Sequence, residues 1–76
     1  MEEFKIGDIV KHYKGNYYQI IGFAIHTETL ERLIIYRSYD IENNIAGVNY
    51  WARPEKIFVN TVDNKNKIKR FIKVES

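Results

Sequence analysis

The sequence predicts an all-β fold, a small barrel of five to six short strands with one short helical turn before the last hairpin. Three observations carry this expectation. β-Branched and aromatic residues come in short runs bounded by Gly, Asn and Asp. Apolar and polar residues alternate with period two within those runs, and no segment sustains a 3.6-residue period. Pro54 falls between two such runs, where a strand must stop.

Taken in order, Asp8 to Tyr13 opens after Gly7 and closes through Lys14-Gly15-Asn16, so it reads as the first strand and its turn. Tyr17 to His26 is the longest apolar stretch, and Gly22 in its middle marks a bulge at which the strand bends. Thr27 to Glu31 is a polar connection that lacks Gly, Asn and Pro. Arg32 to Tyr39 follows, with Leu33, Ile35, Arg37 and Tyr39 on one side and Ile34, Tyr36 and Ser38 on the other. Asp40 to Asn49 has no sustained period and reads as a mobile loop. Tyr50 to Arg53 is a short strand, and Pro54 suits the first position of a helical turn ending at Phe58. Val59 to Val62 and Ile68 to Val74 form the last hairpin. In its second strand Ile68, Arg70, Ile72 and Val74 are expected to face the core and Lys69, Phe71 and Lys73 to face outward. This layout over residues 1–76 is that of one SH3-type barrel domain.

Composition narrows the function classes. A chain of 76 residues buries only about 60% of its unfolded surface, so one small core must hold it together. With no cysteine it has neither a disulfide staple nor a thiolate metal cluster, which fits a reducing compartment. The start, Met1-Glu2-Glu3-Phe4-Lys5, is acidic, and no apolar run approaches the roughly 18 residues of a membrane span, so a cytoplasmic protein without a membrane role is expected. Twelve basic residues against ten acidic ones are too balanced to announce nucleic-acid binding. The excess lies at one end, where Lys65, Lys67, Lys69, Arg70 and Lys73 face only Asp63 and Glu75. Lysines of this kind also guard strand edges.

Four separated motifs add a resemblance. Lys11-His12-Tyr13-Lys14-Gly15-x-x-Tyr18, His26-Thr27-Glu28-Thr29, Ile35-Tyr36-Arg37 and Trp51-x-Arg53-Pro54-x-x-x-Phe58, in that order, resemble the small bacterial domain-of-unknown-function family 1653 (DUF1653). The likeness spans Gly7 to about Phe71. It implies an SH3-type barrel and no established activity. The Asp40 to Asn49 segment is longer than is typical of that family.

Catalytic patterns are sparse. His26-Thr27-Glu28 matches the H-x-E half of a zinc deaminase signature, but the cysteines that complete it are absent. His12, His26 and Glu28 are competent metal ligands and a minimal set for a site. Ser38 and Ser76 are the only serines, and neither has the glycine context of a nucleophile elbow. The four glycines are isolated, so no glycine-rich loop cradles phosphates. The expectation is a non-catalytic protein with no metal and no cofactor.

Aromatic residues interleaved with cationic ones remain. Rings and guanidinium groups grip flat, anionic or backbone-like ligands through cation–π contact and paired hydrogen bonds. The same rings also supply a small barrel with apolar volume. The shared pattern of arginine beside aromatic selects His12, Tyr18, Tyr36, Arg37, Trp51 and Arg53 as the ligand-binding set, with Arg37 and Arg53 expected together at one barrel rim; the alternative for Arg37 is burial against a carboxylate, with Glu28 the nearest candidate. Tyr39 and Tyr50, which flank the loop, are weaker candidates. The predicted function is a binding module for a peptide, a partner protein or a small anionic ligand. The alternative is an RNA- or DNA-binding barrel that stacks bases on its rings and neutralises phosphates with the basic C-terminal hairpin.

Overall fold

Five antiparallel strands form the main sheet, a four-strand meander whose first strand is flanked on its other side by the last strand of the chain, beside a separate two-stranded pair. The computed structural model describes residues 3–74. The strands are β1 (Ile9–His12), β2 (Tyr17–Ile25), β3 (Arg32–Asp40), β4 (Ile45–Pro54), β5 (Thr61–Asp63), β6 (Ile68–Lys69) and β7 (Phe71–Lys73), with a single helical turn, α1 (Glu55–Phe58), between β4 and β5. The all-β class and the helical turn after Pro54 are as the sequence predicts. The order across the main sheet is β4-β3-β2-β1-β7, and the separate pair is β5-β6.

The core consists of Val10, Ile20, Ile34, Tyr36, Phe58 and Phe71, with Phe4, Tyr18 and Phe23 packed against it. A bulge in β2 makes this set possible. Ile20 pairs with Tyr36 and Gly22 with Ile35, so Ile21 is the extra residue. Before the bulge Tyr18 and Ile20 share the core side; after it the parity reverses, and Phe23, opposite Ile34, joins them. The predicted bend at Gly22 is thus the device that keeps a nine-residue strand on one core.

The final strand differs from expectation. It is divided at Arg70, whose N–H donates to the Asn60 carbonyl and whose carbonyl accepts from Tyr13 N–H. β6 pairs with β5 and β7 with β1, so the chain changes partner at this residue. The face assignment of this strand is also reversed: Phe71 is 2% exposed and Ile72 54% exposed. The reason is ring packing. Phe71 stacks on Phe58 with centroids 4.0 Å apart and planes 5° from parallel, while Tyr18, Tyr36 and His12 meet its edges. One aromatic ring with such neighbours outweighs a row of aliphatic residues.

Asp40 to Asn49 is not a long loop. β3 runs to Asp40 and β4 begins at Ile45, joined by a tight turn. Asp40 Oδ1 accepts from the N–H groups of Glu42 and Asn43, Asp40 Oδ2 accepts from the Asn43 amide, and Asn44 takes φ 55°. The β5–β6 turn repeats this arrangement with Asp63, Lys65, Asn66 and Lys67 at φ 56°. The signature is Asp-x-x-Asn followed by a left-handed residue. Beyond the turn, Gly47, Val48 and Asn49 stand opposite the single Ser38. A side chain at Gly47 would collide with the Ser38 hydroxyl, so glycine lets this second bulge close.

The β2–β3 connection is held by His26. Its Nδ1 accepts from the N–H groups of Glu28 and Thr29, and Leu30 completes the turn at φ 62°, with its side chain 73% exposed. A leucine in that region costs about 1–2 kcal/mol, and burial contributes little to offset it.

Two outcomes follow. Phe71→Ala should destabilise the fold by about 3–5 kcal/mol and Ile72→Ala by less than about 1 kcal/mol, read from urea unfolding; equal costs would contradict the assigned face. Leu30→Gly should raise stability by about 0.5–1 kcal/mol, and a lowered melting temperature would rule out strain at this turn.

Candidate functional site

Five of the six predicted site residues converge on one side of the sheet, around Phe71. His12 ends β1 directly across from Phe71, with ring centroids 4.9 Å apart. Tyr18 of β2 meets Tyr36 of β3 edge-on at 5.3 Å and Trp51 of β4 at 5.9 Å. Trp51 pairs with Tyr36 and Arg53 with the buried Ile34, so the indole and this guanidinium lie on the core side of β4. Tyr36 is buried, whereas Trp51 is 43% exposed and forms the outer wall of the cluster.

Arg53 is the polar centre. Its guanidinium carbon sits 5.5 Å from the Phe71 ring centroid, and its Nη1 is buried without a hydrogen-bond partner. A buried donor left in this state is costly unless a ligand or water meets it. Arg70 adds a second cation at this end, fixed by Nε donating to Asn60 Oδ1 at 3.0 Å. Burial, and to a lesser degree Arg53, Arg70 and Lys14, hold the His12 imidazole below its ordinary pKa. Burial raises the Tyr36 phenol, and Arg53 pulls against that rise. The arrangement is a ring-walled, electropositive corner suited to a carboxylate, a phosphate or a carbonyl oxygen.

Arg37 is not part of it. Arg37 follows Tyr36 on β3 and so projects from the opposite face, across from Tyr50. Its Nε and Nη2 both donate to Gln19 Oε1, at 3.0 and 2.7 Å. The expected pairing of Arg37 with Arg53 at one rim is therefore corrected: alternation sends adjacent residues to different sides. Gln19, not Glu28, is the Arg37 partner. Tyr39 donates to Asn44 in the β3–β4 turn, and Tyr50 lies exposed beside Arg37.

The histidine readings separate in the same way. His12 and His26 stand at opposite ends of β2, about eight steps of roughly 3.3 Å apart, so His12, His26 and Glu28 do not share a site. Each imidazole has a turn to hold: His12 Nδ1 accepts from Lys14 N–H at 3.2 Å, as His26 does from Glu28. No group of three or more His, Cys, Asp or Glu able to hold a metal occurs among the described residues. Ser38 faces Gly47, and Ser76 and Glu75 lie outside the described residues.

Phe71 and Arg70 are the contributors that sequence reasoning missed. Weighting the last strand by ring area instead of by aliphatic count would have found Phe71. Two surface clefts lie elsewhere, of about 300 Å³ beside Leu30, Arg32 and Glu55, and about 310 Å³ beside Phe23, Ile25 and Arg32. Arg32 lies over the Phe23 ring at 4.4 Å and pairs with Glu55 at 3.2 Å, so its charge is already matched.

Residues 8–73 match the family described as Protein of unknown function (DUF1653). The chain belongs to this family. No curated protein and no solved structure matches it. The match covers His12, Tyr18, Tyr36, Trp51 and Arg53 and assigns them no role. No helix among the described residues is long and apolar enough to cross a membrane.

The lowered His12 pKa sets a pH dependence. The unfolded chain binds this proton first as pH falls, so the His12 contribution is complete above the unfolded value near 6.5 and is lost below it, toward the lower folded pKa. Melting should occur at a lower temperature near pH 5.5 than near pH 7.5, and His12→Asn, which keeps an acceptor for the Lys14 N–H, should flatten that difference. An unchanged slope in His12→Asn would exclude His12 as its source.

Proposed function

We propose that this member of the family is a non-catalytic, cytoplasmic binding module built on an SH3-type barrel. It recognises an oxygen-rich anionic or carbonyl group of a peptide, a partner protein or a small molecule at the corner formed by Trp51, Tyr18, Tyr36, His12 and Arg53. The barrel reading draws support from the strand order β4-β3-β2-β1-β7, the β2 bulge and the helical turn before the returning strand. The observation that carries the binding reading is Arg53, whose buried Nη1 lacks a partner while the adjoining indole stays half open. Arg37 has Nε and Nη2 committed to Gln19 across the sheet, whereas the buried Nη1 of Arg53 has no partner and is open to a ligand oxygen.

Backbone amide shifts during titration with inorganic phosphate, a carboxylate-terminated peptide mixture and oligothymidylate test this reading. Shifts should gather on Tyr18, Tyr36, Trp51 and Arg53, and Trp51→Ala or Arg53→Gln should weaken the interaction about tenfold or more. Shifts confined to the Thr61–Lys69 hairpin, for oligothymidylate alone and with affinity falling steeply in salt, would overturn it in favour of nucleic-acid binding.

A further inference from the structure

β4 is an edge strand of the main sheet and carries few of the features that keep such an edge solitary. From Ile45 to Ala52 it contains no charged residue, and Ile45, Val48, Tyr50 and Trp51 are all exposed, Val48 at 90%. The opposite edge, β7, is only three residues long, and its Lys73 reaches Asp8 and the Glu3 carbonyl. The two edges are therefore guarded very differently.

Pro54 reveals which way the β4 backbone points. It pairs with Leu33 yet has no N–H, so that pair is one of the non-hydrogen-bonded kind, and so are the pairs two and four residues back, Ala52 with Ile35 and Tyr50 with Arg37. Tyr50 and Ala52 thus turn their N–H and C=O groups away from β3, toward open solvent. The bulge at Gly47 to Asn49 leaves Tyr50–Pro54 as the regular part of this edge.

We propose that this edge pairs with a second copy of the chain, antiparallel about a two-fold axis at Trp51, joining two main sheets into one. Tyr50 then pairs with Ala52 of the second copy, and the reverse, each pair exchanging both backbone bonds, while the two indoles lie side by side. Charge complementarity selects a second copy over an unrelated strand. The turn before β4 holds Asp40 and Glu42, and exposed Lys56 follows it, with Glu55 already held by Arg32. Antiparallel pairing brings the acidic end of each copy toward the basic end of the other, and no like charges meet along the run between them. Such an interface is isologous and closes on itself.

Sedimentation velocity on the full chain between about 1 μM and about 1 mM should show the mass rising from monomer to dimer, with the emission of Trp51, the only tryptophan, moving to shorter wavelength over the same range. Ala52→Pro removes an N–H that the fold itself does not use, so it should melt as the parent does and dimerise at least about tenfold more weakly. Val48→Lys, which adds a charge at the edge, should act in the same direction. A chain that stays monomeric throughout, or a dimer indifferent to Ala52→Pro in a variant of unchanged melting temperature, overturns the proposal.

Discussion

The stacked pair of Phe58 and Phe71 is the contact on which the rest of the structure depends. Phe58 arrives on a helical turn of four residues and Phe71 on a strand of three, neither of which has much stability alone. Their face-to-face contact ties the returning last strand to the helical turn that follows the meander. Phe4 then closes on Phe58 from the amino-terminal side at 5.3 Å. His12, Tyr18, Tyr36 and Arg53 all abut Phe71, so the candidate site is an outward extension of the same ring cluster. Core and candidate site therefore share one support.

Around that centre, side chains rather than glycines do much of the turning. His12 and His26 offer Nδ1, and Asp40 and Asp63 offer carboxylates, to N–H groups two or three residues ahead. Hydrogen bonds from the Asn43 and Asn66 amides lower the pKa of the two carboxyls. Each such contact satisfies backbone donors that a short turn leaves unpaired; Leu30, Asn44 and Lys67 take the left-handed position in the His26, Asp40 and Asp63 turns, and Gly15 has positive φ in the His12 turn. The Asp-x-x-Asn motif occurs in both turns of this kind; the sequence alone points to a hairpin turn at Asp63 and to a loop at Asp40. Histidine in this role has no comparable signature, because its imidazole reads equally well as a ligand or a base.

Both faces of the sheet carry an arginine with an aromatic neighbour, and they differ in what surrounds them. Arg37 lies against Gln19, which accepts from its Nε and Nη2. Arg53 stands over an aromatic ring with an unpaired nitrogen. Similar sequence patterns therefore yield one arginine tied to a neighbouring strand and one with a buried donor left open. The β4 strand that presents Arg53 is also the open edge, so the proposed recognition corner and the proposed self-association fall on a single element.

Read alone, the sequence determined the all-β class, the strand boundaries near Gly15 and Pro54, the bulge beside Gly22 and the family. These follow from short-range physics: alternation, glycine and proline geometry, and turn chemistry. It also separated Tyr36 from Arg37 and grouped Trp51 with Arg53, because a strand sends successive residues to opposite sides. Alternation defines two faces and does not say which one is buried. That was decided by tertiary packing, which chose Phe71 over its aliphatic neighbours because a ring was waiting on Phe58. The same packing broke the last strand at Arg70, and pairing of β3 with β4 turned Asp40 to Asn49 into a hairpin. Only the assembled sheet could settle which arginine meets the aromatic cluster, since that depends on the registers of strands far apart in the chain.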